Sequence, residues 1–473
     1  PIGNTHAYDY FRREGREELR AEVHGAFDRL SSRFNPIVME GAGSISELNL
    51  KDSDLVNMPM ARHAHAAVLL VADIDRGGVF ASVYGSIMLQ SPEDRRLIKG
   101  VIINKFRGDK SLLANGIEMI EKLTNVPVLG VVPYVKLGIE EEDSLGIDKY
   151  NEKKDAKIKI SVIKLKHISN FTDIDALSHY SDVSLKYVKS ANELGNEDVI
   201  IIPGSKNTIE DMKDLVEKDM ARKIIRLAKS GTVIFGICGG FQILGQKITD
   251  LNNLESNLRE ISGLGLLPIE TVIETEKITA QYENTLKNLS GILSGMENVK
   301  INGYEIHQGY SYLENGDKSK NLKEIQKNCI FGEKKLKGMM RENVIGTYIH
   351  GIFDNFEFTN SFLNKIRENK GLEYVDKKFS YSEYKDREYD KLAKVLRENI
   401  DIEKIEETID KIEREILTEY SGEIKSSELG EKILSYLINL DEIAYVRFAS
   451  VYKKFDSLDS FIKEIEKIRK DKK

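Results

Sequence analysis

Cysteine is almost absent from this sequence: Cys238 and Cys329 are the only two in 473 residues. Two thiols cannot build a disulfide framework or a cysteine-ligated zinc site, and such sparse use fits a reducing cytoplasm. Long apolar runs are missing as well. No stretch reaches the roughly 18 residues that a membrane-spanning helix needs, and no secretory leader is visible, so no membrane is expected. Nor is there an excess of positive charge: 70 Lys and Arg stand against 77 Asp and Glu, a net charge of −7, so no nucleic-acid partner is expected. The lack of tryptophan excludes nothing. The phosphate-cradling pattern GxxxxGK[ST] does not occur, and the chain opens on Pro1. If the fold uses a nucleotide, its first strand and phosphate loop are expected before Pro1, and nucleotide-driven chemistry is expected to be impaired.

What is present centres on GTVIFGICGGFQILGQ, residues 231–246. Residues 232–235 have the β-branched, apolar composition of a buried parallel strand. Ile243, Leu244 and the residues after them read as the start of a helix. Between the two lies one cysteine flanked by glycines, the composition of a sharp strand-to-helix turn that pushes a side chain into an exposed, strained position. A helix N-terminus beneath it favours a thiolate and an oxyanion. Cys238 is therefore read as a nucleophile, against the plainer reading of a buried structural cysteine.

A cysteine nucleophile needs a base and donors for the tetrahedral oxyanion. Residues 344–349 read as one strand whose end delivers His350 and Gly351. His307, in NGYEIHQG (residues 302–309), is the rival base, better suited to lining the substrate pocket. Backbone N–H groups near Gly239, and near Gly204 in the turn before a helix starting about Ile209, are the candidate oxyanion donors.

The length suits two or three domains. Toward the N-terminus, helical spacing runs through residues 11–30, and strands are expected at 37–39, 67–72, 100–103 and 126–132 with helical intervals between them. This alternation predicts a doubly wound parallel sheet, with ligands beyond the carboxyl ends of the strands. Three polar clusters fall there: Glu40, then Asp73, Asp75 and Arg76, then Asn104 with Lys105, Arg107 and Asp109. A carboxylate can hold magnesium, and arginine and glycine backbone suit phosphate oxygens.

The blocks PIGNTHAYDYF, VMEGAGSISELNLKDSDLVNM, VLLVADIDRGGVFASVYGSIML, GVIINKFRGD and VPVLGVVPY, in that order, resemble the cobyric acid synthase family of cobalamin biosynthesis. The resemblance implies a dethiobiotin-synthetase-like ATPase fold lacking its first part, with Glu40 a magnesium ligand and Asn104 near the adenine. Asp73, Asp75 and Arg76 would face the phosphates or an acyl-phosphate intermediate. The acidic stretch 140–143 resembles another family block. Residues 231–246, GYEIH and GTYIHGIFD resemble the family's class I glutamine amidotransferase domain, which implies that Gln242 contacts substrate glutamine and that Tyr304 and His307 belong to its pocket. Many class I enzymes carry a glutamate two residues after the histidine. Here that place holds Ile352, which leaves the group orienting the imidazole open, with Asp354 nearby in sequence.

The expected organisation is a synthetase domain over residues 1–150, a linker over 151–157, an amidotransferase domain over 158–400 and a mainly helical tail over 401–473. The tail resembles part of the ATP-cone of the ribonucleotide reductase transcriptional repressor. The family amidates the b, d, e and g carboxylates of adenosylcobyrinic acid a,c-diamide, using glutamine, ATP and Mg2+, so glutamine and a corrinoid are the expected partners. Two alternatives remain at this stage. One is a sibling amidotransferase acting on cobyrinic acid itself or on a cell-wall precursor. The other is a nucleotide-responsive regulator working through the tail.

Overall fold

Strands that are apolar at every position belong where both faces of a sheet are covered, and Val199–Ile202 is buried at all four residues. The computed structural model describes residues 16–139, 153, 155–313, 327–331, 335–375, 380–401 and 403. The chain divides into two units, Pro1–Lys136 with Ala393–Lys473, and Leu137–Leu392. The block at residues 1–11, the acidic stretch 140–143, part of the 151–157 linker and nearly all of the tail lie outside the described residues.

In the first unit, α1 (Arg16–Ser31) matches the helical spacing of residues 11–30, although none of its residues is buried. Three strands, β1 (Val68–Asp73), β2 (Ile98–Phe106) and β3 (Val128–Pro133), form a parallel sheet in that order. Helix α2 (Val79–Met88) follows β1, and α3 (Ala114–Thr124) links β2 to β3. Val83, Ile87, Val101, Ile103 and Ile120 form the core. The strand expected at residues 37–39 is not formed. A strand persists only through a hydrogen-bonded neighbour, and this segment finds none among the described residues; Val38 is 94% exposed.

The second unit begins with β4 (Ile158–Ile163), β5 (Ile168–Ser169), β6 (Val183–Val188), β7 (Val199–Ile202) and β8 (Gly204–Ser205). Then come α4 (Thr208–Glu217), α5 (Met220–Lys229), β9 (Val233–Ile237), α6 (Gly239–Ile243), β10 (Lys247–Thr249) and β11 (Glu260–Ser262). The long strands β12 (Ile269–Thr285) and β13 (Lys300–Leu313) precede β14 (Gly338–Arg341), β15 (Val344–Thr347), β16 (Ile349–His350) and α7 (Phe356–Asn369). One sheet runs β14-β15-β9-β7-β4-β6 and is parallel except for β14 against β15. A second, mainly antiparallel sheet runs β11-β10-β12-β13-β16, and β5 pairs with β8. Phe358 and Phe362 of α7 pack on Phe235 and Phe353. Because β9 lies between β7 and β15, the carboxyl ends of all three meet at one place, where α/β sheets hold ligands.

Two expectations are corrected here. The helix after the cysteine starts at Gly239 and ends at Ile243, instead of beginning at Ile243, because Cys238 itself turns the chain and serves as its N-cap. Residues 344–349 are not one strand. The chain leaves the parallel sheet after Thr347, whose Oγ1 accepts the Ile349 N–H, and His350 then pairs with Tyr304 in the second sheet.

Candidate active site

The turn at the end of β9 is a close fit of backbone on backbone. Cys238 adopts φ 53° and ψ −109°, a conformation costly for a residue with a side chain. Its N–H donates to Thr347 O at 2.7 Å. A Cβ on Gly240 would lie 1.9 Å from Ile202 O, and one on Gly236 would lie 2.6 Å from Gly240 O. These contacts cannot yield to side-chain rotation. Gly240→Ala is expected to destabilise the fold by about 3 kcal/mol or more in urea unfolding and to abolish glutamine cleavage. Gly195→Ala, with nothing within 4 Å, is expected to stay within about 0.5 kcal/mol.

The exposed position expected for Cys238 is corrected here: the residue is buried, 6% exposed, because backbone packs closely around the turn, and its Sγ lies 3.6 Å from Ile306 O. Beside it stands the His350 ring, fully buried. His350 Nδ1 is 2.7 Å from Asp173 Oδ2, and the other carboxylate oxygen, Oδ1, accepts the Gly351 N–H at 2.9 Å. Its Nε2 is buried, with no hydrogen-bond partner among the described residues. Burial alone would drive the imidazole pKa down. The Asp173 charge and hydrogen bond, with Cys238 adding to them, outweigh it and push the pKa up to about 10. Tyr304 stacks on the same ring, centroids 5.2 Å apart, and its hydroxyl accepts from Asn170 Nδ2 at 2.7 Å. One short turn after β5 therefore supplies both Asn170 and Asp173.

Asp173 is the residue that sequence reasoning missed. It lies 177 positions before His350, and the departure at Ile352 pointed only to a gap. Asp354, the sequence neighbour, pairs instead with Lys385 at 3.7 Å. The available signal was an Asn-to-Asp run following a strand, the same strand-end placement that singled out the first unit's clusters.

Gly204 and Gly239 border the same spot. A Cβ on Gly204 would come within 3.4 Å of His350 Cε1, and one on Gly239 within 2.8 Å of Ser205 N. His307, the rival base, is held by other partners. Its Nε2 meets Glu305 Oε2 at 3.3 Å, its Nδ1 meets Gly309 O at 3.1 Å, and its ring stacks on Tyr348. Burial raises the Glu305 pKa, but hydrogen bonds from His307 and Lys337 outweigh that and hold it below the usual carboxylate range. Gln242, expected to contact glutamine, spends its amide inside the protein: Nε2 donates to Gln308 O at 3.0 Å and to Tyr348 OH at 3.3 Å, and Oε1 accepts from Thr208 Oγ1 at 3.1 Å.

In the first unit, Asp73 and Asn104 are register partners across β1 and β2. Lys105 bonds Asp73 and Arg107 bonds Asp75, each at 2.8 Å. The Lys105 hydrogen bond is the main reason the Asp73 pKa is lowered. Arg76 follows Asp75 and precedes Gly77 and Gly78, both in the left-handed region. Glu40, expected at a strand end, is exposed on irregular chain, and no three His, Cys, Asp or Glu side chains among the described residues gather as a metal cage. Magnesium commonly takes one or two carboxylates and leaves its other positions to phosphate and water, so single carboxylates such as these suit it.

Residues 159–358 match the CobB/CobQ-like glutamine amidotransferase domain, residues 6–142 an AAA domain and residues 385–458 an ATP cone domain. The cobyric acid synthase of Phocaeicola vulgatus is 46% identical over 405 residues, 85% of this chain and 78% of that one. The chain belongs to the cobyric acid synthase family. Cobyric acid synthases of Bacteroides fragilis and Streptococcus sanguinis are 45% and 46% identical, each over 85% of this chain and over 78% and 79% of their own lengths. A solved structure described as a glutamine amidotransferase is 15% identical, covering 45% of this chain and 99% of its own, with a TM-score of 0.31. Among the described residues no helix is long and apolar enough to cross a membrane.

Proposed function

We propose that this family member is a glutamine-dependent amide ligase of cobalamin biosynthesis, with Cys238 and His350 cleaving glutamine for its nitrogen. The observation that carries the reading is the line Asp173–His350–Cys238 at the glycine turn. Cys238 Sγ attacks the amide carbon of glutamine. Backbone N–H groups at Gly239 and Gly204 face the oxyanion that forms. His350, protonated through its pairing with Asp173, delivers its Nε2 proton to the departing nitrogen, and ammonia leaves. Water then attacks the thioester, His350 takes up a proton, and glutamate is released. Tyr304 holds the ring flat against this site.

In the synthetase half, residues 1–150 by our reading, ATP converts a corrinoid propionate to an acyl phosphate, and ammonia displaces the phosphate to give the amide. Asp73, Asp75 and Arg76 lie toward the phosphates and Asn104 toward the adenine. Glu40 is the proposed magnesium ligand; the ion supplies charge neutralisation on the phosphates. The acceptors are the b, d, e and g carboxylates of adenosylcobyrinic acid a,c-diamide, and the setting is the cytoplasm. Neither a cell-wall acceptor nor a regulatory role of the tail is favoured by any observation in the described residues.

The test uses 6-diazo-5-oxo-L-norleucine, a glutamine analogue that alkylates the attacking thiol. Peptide mass spectrometry is expected to find the adduct on Cys238, with glutamate production lost in proportion to labelling. An adduct elsewhere, or hydrolysis surviving complete labelling, would overturn the assignment.

A further inference from the structure

Strands β5 and β8 pair over only two residues each, Ile168 with Ser205 and Ser169 with Gly204. Two strands so short are marginal by themselves, yet both sides of the pair border the active site. β8 carries Gly204, beside the His350 ring, and Ser205, whose backbone nitrogen lies against Gly239. β5 runs directly into the turn that supplies Asn170 and Asp173. A side chain from a third element joins the two strands. Asp211, in the first turn of α4, is 0% exposed. Its Oδ2 accepts from Ser205 Oγ at 2.5 Å. Its Oδ1 accepts the His167 N–H at 3.0 Å and lies 3.0 Å from His167 Nδ1. The Ser205 hydroxyl oxygen accepts the Asn207 N–H at 3.0 Å, and its one proton goes to Asp211. The Lys206 N–H donates to His167 O at 2.8 Å and closes the same end of the pair. α4 itself is firmly seated: Ile209, Met212 and Leu215 are buried, and Glu255 Oε2 accepts the Thr208 N–H at 2.6 Å.

We infer that Asp211 is a positioning residue: by holding β8 through Ser205 and β5 through His167, it fixes the Gly204 oxyanion donor and the Asp173 turn at one spacing around Cys238. The inference rests on the reading of Cys238 and His350 as the working pair. Apolar packing would fill the same space without desolvating a carboxylate. A carboxylate with one oxygen on each strand adds direction, which apolar packing cannot supply. Without it, the two-residue pair can slide or part, and the donor at Gly204 and the carboxylate of Asp173 lose their common frame. Both groups act on charge that develops during the reaction, so their displacement lowers kcat more than it raises KM. Short misplacements of such groups carry large rate penalties.

Asp211→Ala removes every one of these contacts, and Ser205→Ala removes the hydroxyl alone. Labelling with the norleucine analogue, carried to completion, counts the active sites, so that kcat is expressed per labelled Cys238 and any loss of folded protein drops out. Asp211→Ala is expected to lower kcat for glutamine hydrolysis about 100-fold and Ser205→Ala about tenfold, each with KM within about threefold. The double variant is expected to match Asp211→Ala alone within about threefold, because the hydroxyl works through a carboxylate that is then already gone. Unchanged kcat in both single variants overturns the inference, as does a rise in KM alone or a pair of losses that multiply in the double variant. Thermal unfolding screens each variant for folding. If Asp211→Ala fails that screen, Ser205→Ala decides: a tenfold fall in kcat at steady KM supports the positioning role, and an unchanged kcat overturns it. Labelling of the unmodified chain keeps the two readings apart. An adduct on Cys238 alongside unchanged variants defeats only the positioning role, whereas an adduct elsewhere defeats the function itself.

Discussion

Asp173→Asn is expected to slow glutamine hydrolysis by about 10^3- to 10^4-fold with little change in KM, because the damage is to proton handling. The asparagine can copy one job of the carboxylate, accepting the Gly351 N–H through its carbonyl oxygen. Its NH2 group then faces His350 Nδ1 as a donor, which forces Nδ1 to be the unprotonated nitrogen. The remaining proton sits on Nε2, toward Cys238, so the neutral ring can no longer take the thiol proton. The charge that outweighed burial is also gone, and burial alone draws the imidazole pKa down from about 10. The stability consequence has a defined sign. A folded-state pKa above the ordinary 6.5 means that the pairing stabilises the fold fully below about pH 6.5, and that this contribution is lost as pH rises through about 10. Urea unfolding of the two chains at pH 6, 8 and 10 is therefore expected to show a gap that is widest at pH 6 and narrows toward pH 10. A gap that widened with pH would mean that the neutral ring is the form the fold prefers.

Cys238→Ala is expected to remove glutamate formation from glutamine altogether, a loss of about 10^4-fold or more, since no other thiol can replace the sulfur. Cys329 is the only other cysteine; it is buried and its Sγ contacts Lys335 O at 3.7 Å. Whatever corrinoid amidation the chain supports with ammonium chloride in place of glutamine is expected to be the same in this variant as in the unmodified chain. That outcome follows from assigning nitrogen release and carboxylate activation to different chemistry. If ammonium-driven amidation fell along with glutamine cleavage, the sulfur would be required in both halves. Formation of glutamate and of amide, measured side by side, checks the separation.

The parts of this site that were legible in the sequence are those written by local strain. Glycines at 236, 239 and 240 announce a turn that no side chain could share, and the cysteine among them is conspicuous. His350 was found from the strand before it, but that strand's break was invisible: Tyr348 carries no punctuating glycine or proline, and its hydrogen-bond partners Ser311 and Gln242 are distant in sequence. Asp173 was hidden for a related reason. Its partner lies on another strand, and nothing in FTDID distinguishes the carboxylate that points inward from the one that does not. In the first unit the parallel strands followed from their apolar runs. The segment at residues 37–39 had equally suitable residues, but a strand is a property of two chains side by side, and composition describes only one.

One carboxylate grips His350 twice, at the ring through one oxygen and at the next peptide through the other. An imidazole anchored in that manner has no freedom to swing between a leaving group and an incoming reagent. Traffic must come to the ring instead: ammonia has to vacate the very place that water then occupies. In the proposed reaction the order of events is thus imposed by immobility, with water reaching the ring only after ammonia has left it.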